Sequence, residues 1–573
     1  MSYESEKYRK EKERLKGTLT QMLHDEEAAG WVVDRDIGKA EVLRERFPDR
    51  CLSLVSFDVD RIKDFVFATT KPLEVQGASA IVSECTDRKG IEKILKAEGY
   101  DERGILFAGG GTGLLMVPAH KEKKIADNIR RQFGEETHTG SCTVVCRAFA
   151  PHELILGPDL SSVDVSQLPK GISLIQGDSG KPIRFGEVFK LLSDQLRETK
   201  EEKLSLPFPS LTGIFHRCES CGKEVATQLD RVARDEPRER ICETCLCKRN
   251  RGRKEQGELK KTPELQTART INKIAGVEEQ RYFAVLYADA NNMGRALFRM
   301  ETMADYALFS QAVSRTMDQV RRDIVRNHNL KGCYQAPVIG GDDIVFMLPA
   351  GKVAGIVLDL MKGVKECFSQ EADAIGGKVA EILRGIGMSV GFVIVPAHFA
   401  IRFAVDYAEF LLRSAKEKRA ALKQDCKEED CIDYLVIKDA SPLNLSISTL
   451  RNLYFQRRSR GQWTLKLTRK PVTLSDFRGM LEDIKLLQEA RVAQIQLRQV
   501  KTLLTQEPPK AAKLNIGYQW LQTESWKKFC EDKGCGTNVV RGLEESGVLI
   551  EDGTRYKTGF LDLLELYEFK EEG

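Results

Sequence analysis

Three landmarks recur in this chain at one spacing. Asp58 and Asp289 lie 231 residues apart, and so do Gly109 and Gly340, and Pro118 and Pro349. Each landmark falls on the same kind of element in both halves. An apolar, β-branched run ends in an acid (51–58 and 282–289), as a strand does. A short helix follows. Then two apolar runs flank a glycine-rich turn (109–113 and 340–343) and reach Val-Pro-Ala or Leu-Pro-Ala. A helix (121–133 and 353–367) and a further strand (143–149 and 388–395) complete each copy. Isolated matches are cheap, but three in one ungapped register on matching elements indicate a duplication. The order βαββαβ predicts an α+β protein built on two ferredoxin-like units.

The copies differ where chemistry would sit. The second carries Gly340, Gly341, Asp342 and Asp343, and its flanking runs read as paired strands. Two adjacent aspartates at a hairpin tip repel each other unless a cation sits between them. A solvated turn is the plainer reading of such a motif alone. In a ferredoxin-like sheet, however, the first and third strands are neighbours, so Asp289 is expected beside Asp342 and Asp343. Three carboxylates can hold two divalent ions, Mg2+ or Mn2+. The Ala290 carbonyl is a further hard ligand, and Asn291 and Asn292 open a helix whose N–H groups favour phosphate. Lys416 is placed to reach a triphosphate. This donor set suits attack of a ribose hydroxyl on the α-phosphate of a nucleoside triphosphate, with Asp289, Asp342 and Asp343 as the catalytic metal-binding set. No GxxxxGK[ST] loop precedes a helix, which argues against a P-loop ATPase. The first copy keeps Asp58 but has Gly111 and Thr112 in place of the aspartate pair. It is expected to be silent, though able to bind a nucleotide opposite the active copy.

Between the copies stand Cys218, Cys221, Cys242 and Cys245, two CxxC pairs at the spacing of a structural four-thiolate zinc site. Cys247 is a spare or alternative ligand. The basic run 248–254 reads as a solvated loop or a nucleic-acid contact. With 573 residues the chain exceeds one core. The expected divisions are 1–50, charged and helical; 51–160, the degenerate copy; 161–275, a linker and the zinc segment; 276–440, the second copy; and 441–573, a helical domain. Another basic stretch, holding Arg457, Arg458, Arg460, Lys466, Arg469 and Lys470, reads as a solvated edge or an RNA contact. His24-Asp25 reads as helix surface. A net charge of +4 implies no nucleic acid by itself, and fifteen cysteines in a chain without an apolar span suggest a reducing, cytoplasmic setting.

Taken together, the run 57–65, the Gly77-Ala78-Ser79 triplet, the CxxC pairs, the run 287–294, the GGDD turn and the run 468–474 resemble the large palm-polymerase/cyclase subunit of type III CRISPR effector complexes. The resemblance implies a cyclase making cyclic oligoadenylate from ATP in antiviral defence. It implies two metal ions at the three aspartates, and nucleotide contacts that include Gly340, Gly341, Asp58 and Ser79. It also implies partners: guide-RNA-loaded subunits, a small helical subunit and, indirectly, target RNA. About fifty residues before the first strand leave no room for the HD nuclease of many relatives, so its DNA cleavage is expected to be absent. A stand-alone cyclic-dinucleotide cyclase and a silent scaffold subunit are the alternatives.

Overall fold

The computed structural model describes residues 5–69, 71–100, 102–157, 182–203, 216–232, 237–276, 281–337, 340–424, 429–438, 446–459, 462–532 and 549–569. Val338 and Ile339, which precede the GGDD turn, and Arg460 of the second basic stretch lie outside them. The chain divides into two compact units. One is Met1–Lys273 with Ala290–Val345 and Leu360–Gly387; the other is Ile274–Asp289 with Phe346–Asp359 and Met388–Gly573.

In the first copy, β1 (Leu52–Val59), β2 (Ile105–Gly109), β3 (Thr112–Pro118) and β4 (Cys142–Phe149) form a sheet in the order β2-β3-β1-β4. Its pairs are all antiparallel. This is the ferredoxin-like arrangement, with the helices Pro72–Thr86 and Glu122–Thr137 as its crossovers. A two-stranded ribbon follows, β5 (Gln228–Asp230) with β6 (Glu239–Ile241). The second copy contributes β7 (Tyr282–Ala290), β8 (Asp343–Pro349) and β9 (Met388–Pro396). These join β10 (Cys431–Val436) and, beyond β11 (Gln456–Ser459) and β12 (Trp463–Lys466), β13 (Val472–Thr473). The order is β13-β10-β9-β7-β8, with β10 parallel to β9 and β13 antiparallel to β10. The β8-β7-β9 core repeats β3-β1-β4.

The offset of 231 runs further than the three landmarks. It separates the helix starts Ile62 and Met293, the helix starts Pro72 and Met303, and the strand starts Thr112 and Asp343. It also relates the left-handed residues Arg61 (φ 47°) and Asn292 (φ 65°). A non-glycine residue with positive φ is uncommon, so its recurrence at one register position marks a shared turn from strand into helix.

Several sequence expectations are corrected. The short helix expected after the first strand is followed by two longer ones, Pro72–Thr86, which holds Gly77 in its interior, and Arg88–Ala97. Where an irregular linker was expected over 161–215, the described part holds the 18-residue helix Phe185–Glu202. Its apolar positions Phe185, Val188, Leu191, Leu192 and Leu196 are buried at helical spacing. The basic run after the cysteines is not a loop. It forms the helix Glu243–Glu258, in which Lys248 is 2% and Arg249 0% exposed. The helical C-terminal region comprises Leu474–Glu489, Gln494–Gln506, Pro509–Gln522 and Glu524–Asp532. It also holds a small sheet, in which β14 (Ile550–Asp552) and β15 (Arg555–Lys557) complete the order β11-β12-β15-β14. Arg457 on β11 donates to the carbonyls of Leu504, Gln506 and Glu507, capping the end of a helix. His24 is the left-handed C-cap of one helix and Asp25 the N-cap of the next. Among the described residues no helix is long and apolar enough to cross a membrane.

Candidate metal and nucleotide site

Asp289 is the next-to-last residue of β7, Asp343 the first of β8 and Asp342 its predecessor. Their carboxylates offer oxygens that lie within 4.8 Å of one another. The Ala290 N–H donates to the Asp342 carbonyl at 3.3 Å, tying the loop to the strand end. Burial pushes the Asp342 carboxyl above the usual aspartate range. The Lys416 ammonium, on the helix Ile401–Gln424, pairs with Asp289. Three hard oxygen donors this close, one disfavoured as a buried anion, are the chemistry that a hard divalent cation relieves.

The turn after β7 differs from expectation. The helix starts at Met293, after the left-handed Asn292, and has six residues. Asn291 is buried, and its N–H donates to the Gly387 carbonyl at 2.8 Å, so that N–H is not open to a phosphate.

In the first copy Thr112 faces Asp58 across the β1–β3 pair, and Gly111 precedes it. The position of the aspartate pair is therefore filled by a glycine and a hydroxyl. Asp58 pairs at 2.7 Å with Lys200, a residue of the helix Phe185–Glu202 that follows β4 in the chain. Burial raises the Asp58 carboxyl, and Lys200 only partly offsets this. Asp58, Lys200, Gly341 and Asp342 line one cavity of about 340 Å³, together with Phe107, Phe189, Tyr306, Phe309 and Ser310. Ser79 is not among them. It lines another cavity, beside Arg251, Arg321 and Tyr334. Lys200, Phe189, Tyr306 and Phe309 escaped the sequence reading because they come from helices rather than from the repeated strands. The amphipathic spacing of 185–196 was the available signal.

The four cysteines Cys218, Cys221, Cys242 and Cys245 bring their sulfurs within 4.8 Å of one another. Cys242 caps the helix Glu243–Glu258, accepting from the Cys245 N–H. Cys247 is outside this cluster, its thiol donating to the Glu136 carbonyl at 3.7 Å. Four clustered thiols with every corner supplied by protein fit a structural zinc ion.

A sheet whose β8-β7-β9 core repeats that of the first copy, with three acids gathered at the adjoining ends of β7 and β8, defines a palm-type domain. Residues 282–423 match the family model described as Cas10/Cmr2, second palm domain. The match identifies a Cas10/Cmr2-like second palm domain within this chain. Among solved structures it is similar to a Csm1-Csm4 cassette in complex with cA4, at 11% identity and a TM-score of 0.48, covering 95% of this chain and 73% of the other. It is also similar to Csm1 in T. onnurineus, at 12% identity and a TM-score of 0.42, covering 88% and 71%. A third similarity is to the cassette in complex with pppApA, at 12% identity and a TM-score of 0.44, covering 69% of this chain and 57% of that one. This chain thus spans little more than half of the pppApA-bound chain, and 56% of the one bound to AMPPNP. A comparison with curated proteins gave no match.

Proposed function

We propose that this protein is the nucleotidyl-cyclase subunit of a type III CRISPR RNA-guided complex and makes cyclic oligoadenylate from ATP. The observation that carries the reading is the three-aspartate cluster at the adjoining ends of β7 and β8, set against its absence from the first copy. Asp289, Asp342 and Asp343 would hold magnesium or manganese. Such ions, when bound, lower the pKa of an attacking hydroxyl and offset charge on a leaving pyrophosphate. The chain's own residues supply placement. Gly340 and Gly341 leave the backbone open to a phosphate, with no Cβ in the way. Lys416 supplies a cation beside Asp289 for the triphosphate. The cavity shared by Asp58, Lys200 and Asp342 is largely apolar in its wall and would be where a second nucleotide is held. In the reaction the 3'-hydroxyl oxygen of one nucleotide forms a bond to the α-phosphorus of the next. The bond from that phosphorus to pyrophosphate breaks, and the hydroxyl proton passes to solvent.

The reading is tested with labelled ATP or GTP and Mn2+, with and without the guide-RNA-loaded partner subunits and target RNA. RNA-dependent oligoadenylate supports it. An RNA-independent cyclic dinucleotide would make the protein a stand-alone cyclase, and no turnover in the assembled complex would make it a scaffold. Asp289→Asn, Asp342→Asn and Asp343→Asn should each lower turnover by about 10²-fold or more, with zinc content unchanged.

A further inference from the structure

We infer that the hairpin tip of the first, acid-less copy is the stop against which the carboxylate-bearing loop of the second is set, with Gly110 a positioning residue for Asp342 and Asp343. The inference deepens the proposed function and rests on it for its activity readout alone.

Gly110 and Gly111 join β2 to β3, with φ of 62° and 87°. Positive φ at both central residues is what a two-residue hairpin turn requires. A Cβ on Gly110 would stand 2.4 Å from the Gly340 carbonyl carbon and 2.4 Å from the Gly341 nitrogen. Those atoms are backbone and cannot swing aside as a side chain can. The two tips therefore touch main chain to main chain. The Phe107 ring closes in on the same loop, 3.3 Å from where a Cβ on Gly341 would lie. On the far side of the loop, the Asp342 carbonyl accepts from the Ala290 N–H. The residues that carry Asp342 are thus held between the first copy's tip and the end of β7.

The stop is itself anchored. The Gly111 N–H donates at 3.2 Å to the Thr86 hydroxyl, 1% exposed at the end of the helix Pro72–Thr86. That helix is locked to Glu243–Glu258 at two glycines: a Cβ on Gly77 would lie 1.8 Å from the Lys248 carbonyl oxygen, and one on Gly252 2.2 Å from that of Leu73. A position tied to a buried hydroxyl and a packed helix can define where a neighbouring loop sits. The first copy's tip lacks both acids yet keeps its glycines, which the positive φ of the turn and the fit against the other loop both favour.

Three variants of the full chain test this. Gly110→Ala adds the colliding Cβ. Gly99→Ala is the control, since Gly99 has a comparable φ of 84° and a Cβ there meets nothing within 4 Å. Thr86→Val removes the anchoring hydroxyl at nearly constant volume. Amide hydrogen exchange of 340–343 is followed in metal-free protein, Mn2+ affinity by titration, and ATP turnover in the assembled complex. Gly110→Ala should speed exchange at 340–343 about tenfold and weaken Mn2+ binding in step. A displacement of about 1 Å at the acids should cost turnover about 10²-fold. Thr86→Val should move all three readouts in the same direction by less, and Gly99→Ala should match wild type. Gly110→Ala equal to Gly99→Ala in exchange and Mn2+ affinity would overturn the inference. Should Gly110→Ala not fold, wild-type exchange and Mn2+ affinity in Thr86→Val would overturn it instead. A wild-type complex that makes no product sinks the cyclase reading, while exchange and Mn2+ affinity still decide this one.

Discussion

Asp58 and Asp60 stand two residues apart near the end of β1, yet their carboxyls are pushed in opposite directions. Burial raises Asp58, and one ammonium, Lys200, does not fully offset it. Burial also works against Asp60, but hydrogen bonds from Lys203, Thr143 and Ser141 outweigh it and hold that carboxyl below the usual range. The signs follow by linkage. With its folded pKa above 3.8, Asp58 favours the folded state when protonated, and this contribution is lost as pH rises from 3.8 through the folded value. Asp60 contributes stability above 3.8, and that is lost as pH falls through its lowered folded pKa. Lys200→Met should therefore raise the Asp58 midpoint further in a carboxyl-carbon NMR titration. A midpoint that stays put would show that Lys200 does not set its charge. Asp58 itself was legible, because the register pairs it with Asp289. Its partner was not, because Lys200 stands on the helix Phe185–Glu202, far along the chain from β4 and off the 231-residue register, although it pairs with Asp58 as Lys416 does with Asp289.

At the scale of elements, the pairing of Pro72–Thr86 with Glu243–Glu258 shows why the basic run misled and what glycines do inside a helix. Glycine usually punctuates helices, and a run of arginine and lysine usually stays in water. Here Gly77 and Gly252 let two backbones approach to contact. Arg249 is fully buried because Glu74 meets it at 2.6 Å and Glu239 pairs with it as well. Ser220, between the first two cysteines, donates to the same Glu74. The helix packing is thereby joined to the four-thiol cluster by one buried carboxylate. Arg249→Met would strand Glu74 in the interior and should cost about 3–5 kcal/mol. Gly77→Ala should cost about 3 kcal/mol, at the upper end for overpacking, since a carbonyl rather than a side chain is in the way. Chemical denaturation followed by helix signal measures both. A loss under 1 kcal/mol for Arg249→Met would mean that water reaches Glu74 in solution.

The duplication was readable because strand ends, turns and prolines are set by short-range rules that survive divergence. What joins the copies to later segments was not, since it depends on contacts between residues far apart in sequence. Lys470 is the clearest case: placed in a basic stretch, it is 1% exposed in its side chain and pairs with Glu565 at 2.5 Å and Asp562 at 3.6 Å, nearly a hundred residues later. That buried network belongs to one compact unit, whereas all four clustered cysteines belong to the other. Removal of a structural metal withdraws folding free energy only from the part it organises. Chelation of zinc should therefore lower the unfolding temperature of the cysteine-bearing unit and leave the other nearly unchanged. Hydrogen exchange distinguishes them. Amides of β1–β4 and the helix Glu243–Glu258 should lose protection after chelation, while those of β10 and the helix Phe560–Tyr567 keep it. Cys245→Ser should reproduce the pattern without chelator. If the second set loses protection to the same extent, the two units fold as one cooperative block, and the zinc centre stabilises the entire chain.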